Sequence, residues 1–281
     1  MYWRTSRRTI DFGSRALVMA VLNVTPDSFS DGGLLVTVDD ALRQAEKFIA
    51  EGGDILDIGG ESTRPGSSRV PIEEEARRVL PVIEAIAKRF DIPISVDTTK
   101  SEVATRAIAV GAEIINDISG LRFDEKIAEV AAATRAGLVL MHSRGDFEEM
   151  HTQPEVSDIL RVVGDGFRAS VAKAKSFGVA DECIALDVGI GFGKTRDQNL
   201  ELLAKLDRLT AEFPGKPILI GTSRKSFIAK LLNDAPIDGR LAGSVATAAV
   251  AIWNGANIIR VHDVKESADA VNIIRSLRDQ L

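Results

Sequence analysis

Asp97, Asn116 and Asp187 each stand as the first polar residue after a short apolar run. A carboxylate accepts hydrogen bonds, and a carboxamide both accepts and donates them. Converging, they would suit a heterocycle with several N–H donors and one carbonyl. Asp97 or Asp187 could equally cap the helix that follows it. Arg64, Lys225, Arg260 and His262 form a second, cationic set able to hold a phosphate or pyrophosphate. Taken alone, Arg64 reads as ordinary surface charge.

Two other chemistries are weaker. Lys225 could form a Schiff base, but that wants a desolvated lysine within a strand. Here it follows Thr222-Ser223-Arg224 and opens a short helix. Gly193-Lys194-Thr195 looks like the end of a nucleotide-binding loop, but the first glycine of that motif would fall at 188, which is Val188. Gly189, Gly191 and Gly193 fit better as a tight loop that lets backbone approach a ligand.

These groups need elements to position them. Eight short runs rich in Ile, Val and Leu recur along the chain: Leu17–Leu22, Ile55–Ile58, Ile94–Val96, Ile114–Ile115, Leu138–Met141, Ile184–Leu186, Ile218–Ile220 and Ile258–Ile259. They lack polar alternation, as strands covered on both faces do. The stretches between them carry helical apolar stripes. Thr37 with Asp40 suits an N-cap, Gly52-Gly53 a stop, and Pro81 a kink or break. Each strand end delivers polar groups: Asn23; Glu61 with Thr63 and Arg64; Asp97; Asn116-Asp117; His142; Asp187; Ser223-Arg224-Lys225; Arg260 with His262-Asp263. Any one strand end is polar simply because loops are wet. Eight together predict an α/β fold of the (β/α)8 TIM-barrel kind, one domain over residues 1–281, with its site at the C-terminal face. An open doubly wound sheet would want a Gly-x-Gly-x-x-Gly after the first strand, and none is there.

Composition agrees. The 281 residues are 45% hydrophobic with a net charge of −6, which argues against nucleic acid or an anionic membrane as partner. The single cysteine, Cys183, allows no intrachain disulfide, so a reducing, cytoplasmic setting fits. Arg4, Arg7, Arg8 and Arg15 before Ala16–Leu22 loosely imitate a secretory signal, but the run is short, lacks a small-residue cleavage pattern and reads as a buried first strand. No apolar run approaches the ~18 residues of a membrane span.

The motifs resemble those of dihydropteroate synthases. Asn23-Val24-Thr25-Pro26-Asp27-Ser28-Phe29-Ser30-Asp31-Gly32-Gly33 is similar to that family's first signature, and Asp57-Ile58-Gly59-Gly60-Glu61-Ser62-Thr63-Arg64-Pro65-Gly66 to its second. Ser95-Val96-Asp97-Thr98, Ile115-Asn116-Asp117, Gly189 to Lys194, Ser223-Arg224-Lys225 and Arg260-Val261-His262-Asp263-Val264 continue the resemblance in order. It implies an enzyme that joins a dihydropterin pyrophosphate to p-aminobenzoate. Asp97, Asn116, Asp187 and Lys225 would hold the pterin, with Met141 and Phe192 as walls. Asn23 would help hold Mg2+, which binds the pyrophosphate, and Arg64, Arg260 and His262 would contact it. Asp97, Lys225, Arg260 and His262 would carry the catalysis. Phe29, Thr63, Pro65 and Ser226 would receive p-aminobenzoate, its carboxylate at the start of the helix opened by Lys225 and Ser226. The loops at 23–37 and 59–71 would close over the site.

Val188 stands where this family has proline, which leaves the loop carrying Phe192 freer. His142-Ser143-Arg144-Gly145 replaces a His-Met-Gln-Gly type. No insertion interrupts Thr63 to Ser68, so the resemblance implies sensitivity to sulfonamides, which compete with p-aminobenzoate. Relatives are often homodimers. The Ala- and Gly-rich helix near 239–253 could pack on another subunit or, as its composition slightly favours, inside the outer layer. Rival readings are a methyltransferase using a methylated folate, which needs no pyrophosphate apparatus, and a pterin binder without turnover.

Overall fold

The computed structural model describes residues 1–13, 15–25, 37–64 and 66–280. Two short antiparallel strands, β1 (Tyr2–Arg4) and β2 (Thr9–Asp11), precede the barrel. The barrel strands are β3 (Leu17–Asn23), β4 (Ile55–Gly59), β5 (Ile94–Asp97), β6 (Ile114–Asp117), β7 (Gly137–Met141), β8 (Ile184–Asp187), β9 (Ile218–Ile220) and β10 (Ile258–Val261). Each pairs in parallel with the next, and β10 closes onto β3 with Ile258 opposite Leu17. Around them run α1 (Val38–Ala50), α2 (Ile72–Arg89), α3 (Ser101–Val110), α4 (Lys126–Thr134), α5 (Ile159–Ser176), α6 (Arg196–Ala204), α7 (Leu206–Glu212), α8 (Ser226–Leu231), α9 (Leu241–Trp253) and α10 (Val264–Arg278). All eight apolar runs became barrel strands, so the α/β barrel expected from them is the fold.

Side chains alternate across each strand, so one parity faces the helices and the other the barrel axis. Val18, Ala20, Leu56, Ile58, Val96, Leu138, Leu186 and Ile220 join the helices in the main core. Leu17, Met19, Ile55, Ile114, Val139, Ala185, Leu219 and Ile258 form a separate inner cluster. Moving along the same inward parity toward the C-terminal ends reaches Asn23, Asp57, Ser95, Asp97, Asn116, Met141, Asp187 and Arg260. The barrel is thus filled with hydrocarbon below and with polar groups above.

The Arg-rich N-terminus, which in sequence loosely imitates a signal, closes the bottom of the barrel. Trp3 is fully buried among the inner cluster, together with Ile10 and Phe12. Its indole Nε1 donates to the carbonyl of Cys183 at 2.7 Å. Gly137 opens β7 because a Cβ there would lie 3.0 Å from the Trp3 ring. Cys183 itself is buried in the core.

Local signals hold at the helix ends. Thr37 and Asp40 form a reciprocal capping box at α1. Gly52 (φ +98°), Gly111 (+131°) and Gly255 (+105°) end α1, α3 and α9 in the left-handed region just before a strand. The expectation at Pro81 is corrected in part, since α2 runs through it without a break. α9 buries Ser244, Ala248, Ala251 and Ile252, while Ala242 and Ala246 are exposed. Its outer face keeps Leu241, Val250 and Trp253 exposed beside Ile273 and Leu277 of α10.

Candidate active site

The strand register sets Asn23, Gly59, Asp97 and Asn116 side by side across β3, β4, β5 and β6, and Met141 opposite Asp187 across β7 and β8. Gly59 keeps the space between its neighbours open. A Cβ there would lie 3.5 Å from both Asn23 Oδ1 and Asp97 Cβ.

Arg260 organises the floor. Its Nε donates to Asp57 Oδ2 at 2.6 Å and its Nη2 to Asp97 Oδ2 at 2.7 Å. Asn116 Nδ2 donates to the same Asp57 oxygen at 3.1 Å. Burial works against the charge on Arg260, but Asp57 and Asp97 overcome it and hold the guanidinium protonated. Burial also pushes the Asp97 carboxyl up to about 7; Arg260 opposes that rise, and Asp57, Glu75 and Glu61 reinforce it. Asp187 is likewise raised by burial, against the pull of Lys225, while its Oδ1 accepts from Gly189 N at 2.7 Å. Asp57 Oδ1 and Asn116 Oδ1 are buried acceptors with no donor among the described residues. Leaving such atoms unmade is costly, so they point to a ligand that brings N–H groups.

Asp57 was not among the candidates read from the sequence. A carboxylate in the middle of Ile55–Gly59, on the inward parity, was the available signal; attention to strand ends passed over it.

One wall is apolar. Met141, Ile118, Phe147, Met150 and Phe192 form a small cluster at the mouth. Lys225 Nζ lies over the Phe192 ring, 4.6 Å from its centroid, and donates to the Ile190 carbonyl. Burial lowers Lys225 to about 8, with Asp187 opposing the fall, so it stays charged at neutral pH.

The loop carrying Phe192 is held by contacts that do not depend on a proline at 188. Val188 is fully buried in the core. Lys194 turns inward and donates to the carbonyls of His142 (3.1 Å), Gly189 (2.9 Å) and Phe192 (2.9 Å), using its three donors. Gly189 adopts φ +69°, and a Cβ there would lie 2.0 Å from the His142 carbonyl oxygen. The unusual Ser143-Arg144 pair adds braces. Ser143 Oγ accepts from Arg122 Nη2 at 2.7 Å, and Arg144 Nη1 donates to the Gly193 carbonyl at 2.9 Å.

The anion end differs from its sequence reading in one respect. His262 is not a cation here: burial first, then the charges of Arg260 and Arg224, lowers it to about 3. The Ser223 hydroxyl lies 3.1 Å from His262 Nδ1 and also accepts from the His262 backbone N–H. A hydroxyl donating to Nδ1 leaves the proton on Nε2, so the ring presents a neutral donor. Arg64 is exposed, but near enough for its charge to oppose protonation of His262. Ser226 is exposed at the start of α8, and Thr63 lies on the loop after β4. Phe29 and Pro65 lie outside the described residues, as does most of the 23–37 loop.

Other strand-end groups serve the scaffold. Asp117 accepts from the backbone N–H groups of Ser119 and Leu121. His142 packs its ring against Gly166 of α5. Arg224 pairs with Asp263. Lys100 binds Glu61 at 2.8 Å and buried Glu75, fixing the base of the loop after β4. Among the described residues, no group of three or more His, Cys, Asp or Glu could hold a metal.

The profile of the family described as pterin binding enzyme matches residues 19–262. The chain is 47% identical to a dihydropteroate synthase of Escherichia coli over 261 residues, 92% of this chain and 90% of that protein. It is similar to a crystal structure of the Yersinia pestis dihydropteroate synthase with a sulfonamide drug complex: TM-score 0.93, 43% identity, covering 99% of this chain and 100% of that one. A Xanthomonas albilineans dihydropteroate synthase with 4-aminobenzoic acid matches with TM-score 0.91 and 40% identity over 99% of this chain and 98% of that one.

Proposed function

The chain belongs to the pterin-binding enzyme family, among its dihydropteroate synthases, and we propose that it condenses 6-hydroxymethyl-7,8-dihydropterin pyrophosphate with p-aminobenzoate to give 7,8-dihydropteroate and pyrophosphate. The observation that carries this reading is the acceptor array around Arg260: Asp57, Asp97, Asn116 and Asp187, with buried oxygens still lacking donors. A pterin edge offers N–H groups for them and a carbonyl for Lys225. Met141 and Phe192 would flank the ring.

The reaction breaks the methylene C–O bond and forms a C–N bond. Arg260, Arg64 and the neutral His262 Nε2–H stabilise charge on the departing pyrophosphate. Positive charge growing at the methylene is favoured by the ring and by Asp97 nearby. The arylamine, held beside Thr63, Ser226 and the segments of Phe29 and Pro65, attacks and then releases a proton. α8 has six residues, so its first free N–H groups, rather than a long helix dipole, would meet the p-aminobenzoate carboxylate.

Asn23 fits Mg2+ as a single hard oxygen ligand facing the open space above Gly59. Mg2+ keeps several waters and takes its other ligands from substrate phosphates, so no protein cage is needed. When bound, it would neutralise charge on the pyrophosphate. The same p-aminobenzoate pocket would admit sulfonamides as competitors. The exposed face of α9 and α10 would serve a homodimer, which light scattering tests. Among the described residues no helix is long and apolar enough to cross a membrane, and a cytoplasmic location fits.

The test is pyrophosphate release from the pterin substrate with Mg2+, with and without p-aminobenzoate. Release coupled to dihydropteroate supports the synthase. Tight pterin binding with no product would overturn it in favour of a binder or a methyltransferase.

A further inference from the structure

The segment between β7 and α5 reaches across the mouth of the barrel and sets His151 between two neighbouring loops. His151 Nε2 lies 2.8 Å from the Thr63 carbonyl oxygen, on the loop after β4. Nδ1 lies 3.2 Å from the Gly191 carbonyl oxygen, on the loop after β8. The ring also packs on Phe192, with centroids 5.2 Å apart. Both partners are carbonyl oxygens, which only accept. A neutral imidazole carries one N–H and can serve one of them; an imidazolium carries two and serves both.

We propose that His151 is a positioning residue of this site, whose ring straps the loop bearing Thr63 and Arg64 onto the loop bearing Phe192. The proposal rests on the functional reading above for the identity of the two pockets, and on the geometry alone for the strap. Thr63 faces the arylamine side and Phe192 the pterin side, so the strap fixes the distance between the two substrates.

Two further holds tie the loop after β4 to other segments toward its ends. Lys100 ties Glu61 at the base. Arg69 lies between the rings of Phe123 and Phe147, 4.8 and 4.9 Å from their centroids. His151 holds the middle, with a ring nitrogen at hydrogen-bond distance from a carbonyl of each loop.

The sequence hid this residue. His151 follows no apolar run and sits in no strand-end position, and only the fold brings it to Thr63 and Gly191.

The test uses the intact chain with His151→Ala and His151→Gln. Glutamine keeps its donors on a single nitrogen, so it can reach one of the two carbonyls. Backbone amide exchange of residues 61–70 is measured in the free protein beside the KM for p-aminobenzoate. Loss of a hydrogen bond or two predicts exchange and KM about 3- to 10-fold higher in His151→Ala, with kcat little changed. His151→Gln should fall between the parent and His151→Ala in both readouts. Unchanged exchange in His151→Ala, or a His151→Gln as loose as His151→Ala, would overturn the strap. Altered exchange in a protein that forms no dihydropteroate would instead overturn the proposed reaction and leave the strap standing.

Discussion

Arg260 Nε meets Asp57 Oδ2 at 2.6 Å, joining β10 to β4 over the one strand, β3, that lies between them. Asp57 is fully buried, and its other oxygen has no donor among the described residues. The pair therefore has two functions at once. It holds the guanidinium in place for Asp97, and it keeps an acceptor in reserve for a ligand.

Removing one member of a buried pair leaves the other charge without its partner, a loss of roughly 3–5 kcal/mol when nothing compensates. Asp97 still binds Arg260, so Asp57→Ala should lose about 3 kcal/mol by urea unfolding. Its kcat/KM for the pterin substrate should fall more than 100-fold, since Asn116 loses its acceptor as well. Asp57→Asn should recover stability better than turnover. Equal stability and activity in Asp57→Ala would mean that this pair organises nothing.

Asp97, raised to about 7, makes the free site pH-dependent. The pterin N–H groups call for the ionised carboxylate. KM for the pterin substrate should therefore rise as pH falls below about 7, and that dependence should vanish in Asp97→Asn. Stability runs the other way. The folded value lies above the ordinary ~3.9, so the stability that protonated Asp97 contributes is present below about pH 4 and lost as pH rises through about 7. Asp97→Asn should thus gain Tm relative to the parent between about pH 4 and 7. A constant Tm difference across that window would show that Asp97 titrates normally.

Much of this site was legible in the sequence because a parallel barrel imposes period and direction. Buried strands read as apolar runs, and their C-terminal ends lie on one face. That logic found Asn23, Asp97, Asn116, Asp187 and Arg260, which the register then set around one floor. It failed where alternation mattered more than the strand end, as at Asp57. It also failed where burial altered charge, as at His262, which stands neutral. Contacts between loops stayed hidden, because loop residues carry no period. Lys194 and His151 bind carbonyl oxygens of other segments, and no pattern of side chains announces a carbonyl.

Lys194 should prove as important to the pterin wall as any residue that touches substrate. Its ammonium satisfies three carbonyl oxygens, two of them on the loop of Phe192. Lys194→Met keeps the stem and removes every donor. Each carbonyl left unmade costs about 1–3 kcal/mol, less what water recovers, so a loss of at least about 2 kcal/mol is expected by urea unfolding. KM for the pterin substrate should rise while KM for p-aminobenzoate changes less. Equal rises in both would place the loss in the global fold rather than in the Phe192 loop.

Trp3 offers the opposite separation, stability without chemistry. It lies at the N-terminal end of the barrel, where residues support the fold, while the polar site occupies the other end. Truncating a buried tryptophan to alanine leaves a cavity worth about 3–5 kcal/mol. Trp3→Ala should show that loss by urea unfolding, and Trp3→Phe a smaller one that includes the hydrogen bond to the Cys183 carbonyl, about 1 kcal/mol. Both variants, assayed well below their melting temperatures, should keep the parent KM for each substrate, because the inner apolar layer separates Trp3 from Asp57 and Asp97. A raised KM in Trp3→Phe would mean that strain crosses the barrel, and that the hydrocarbon below and the polar floor above are one mechanical unit.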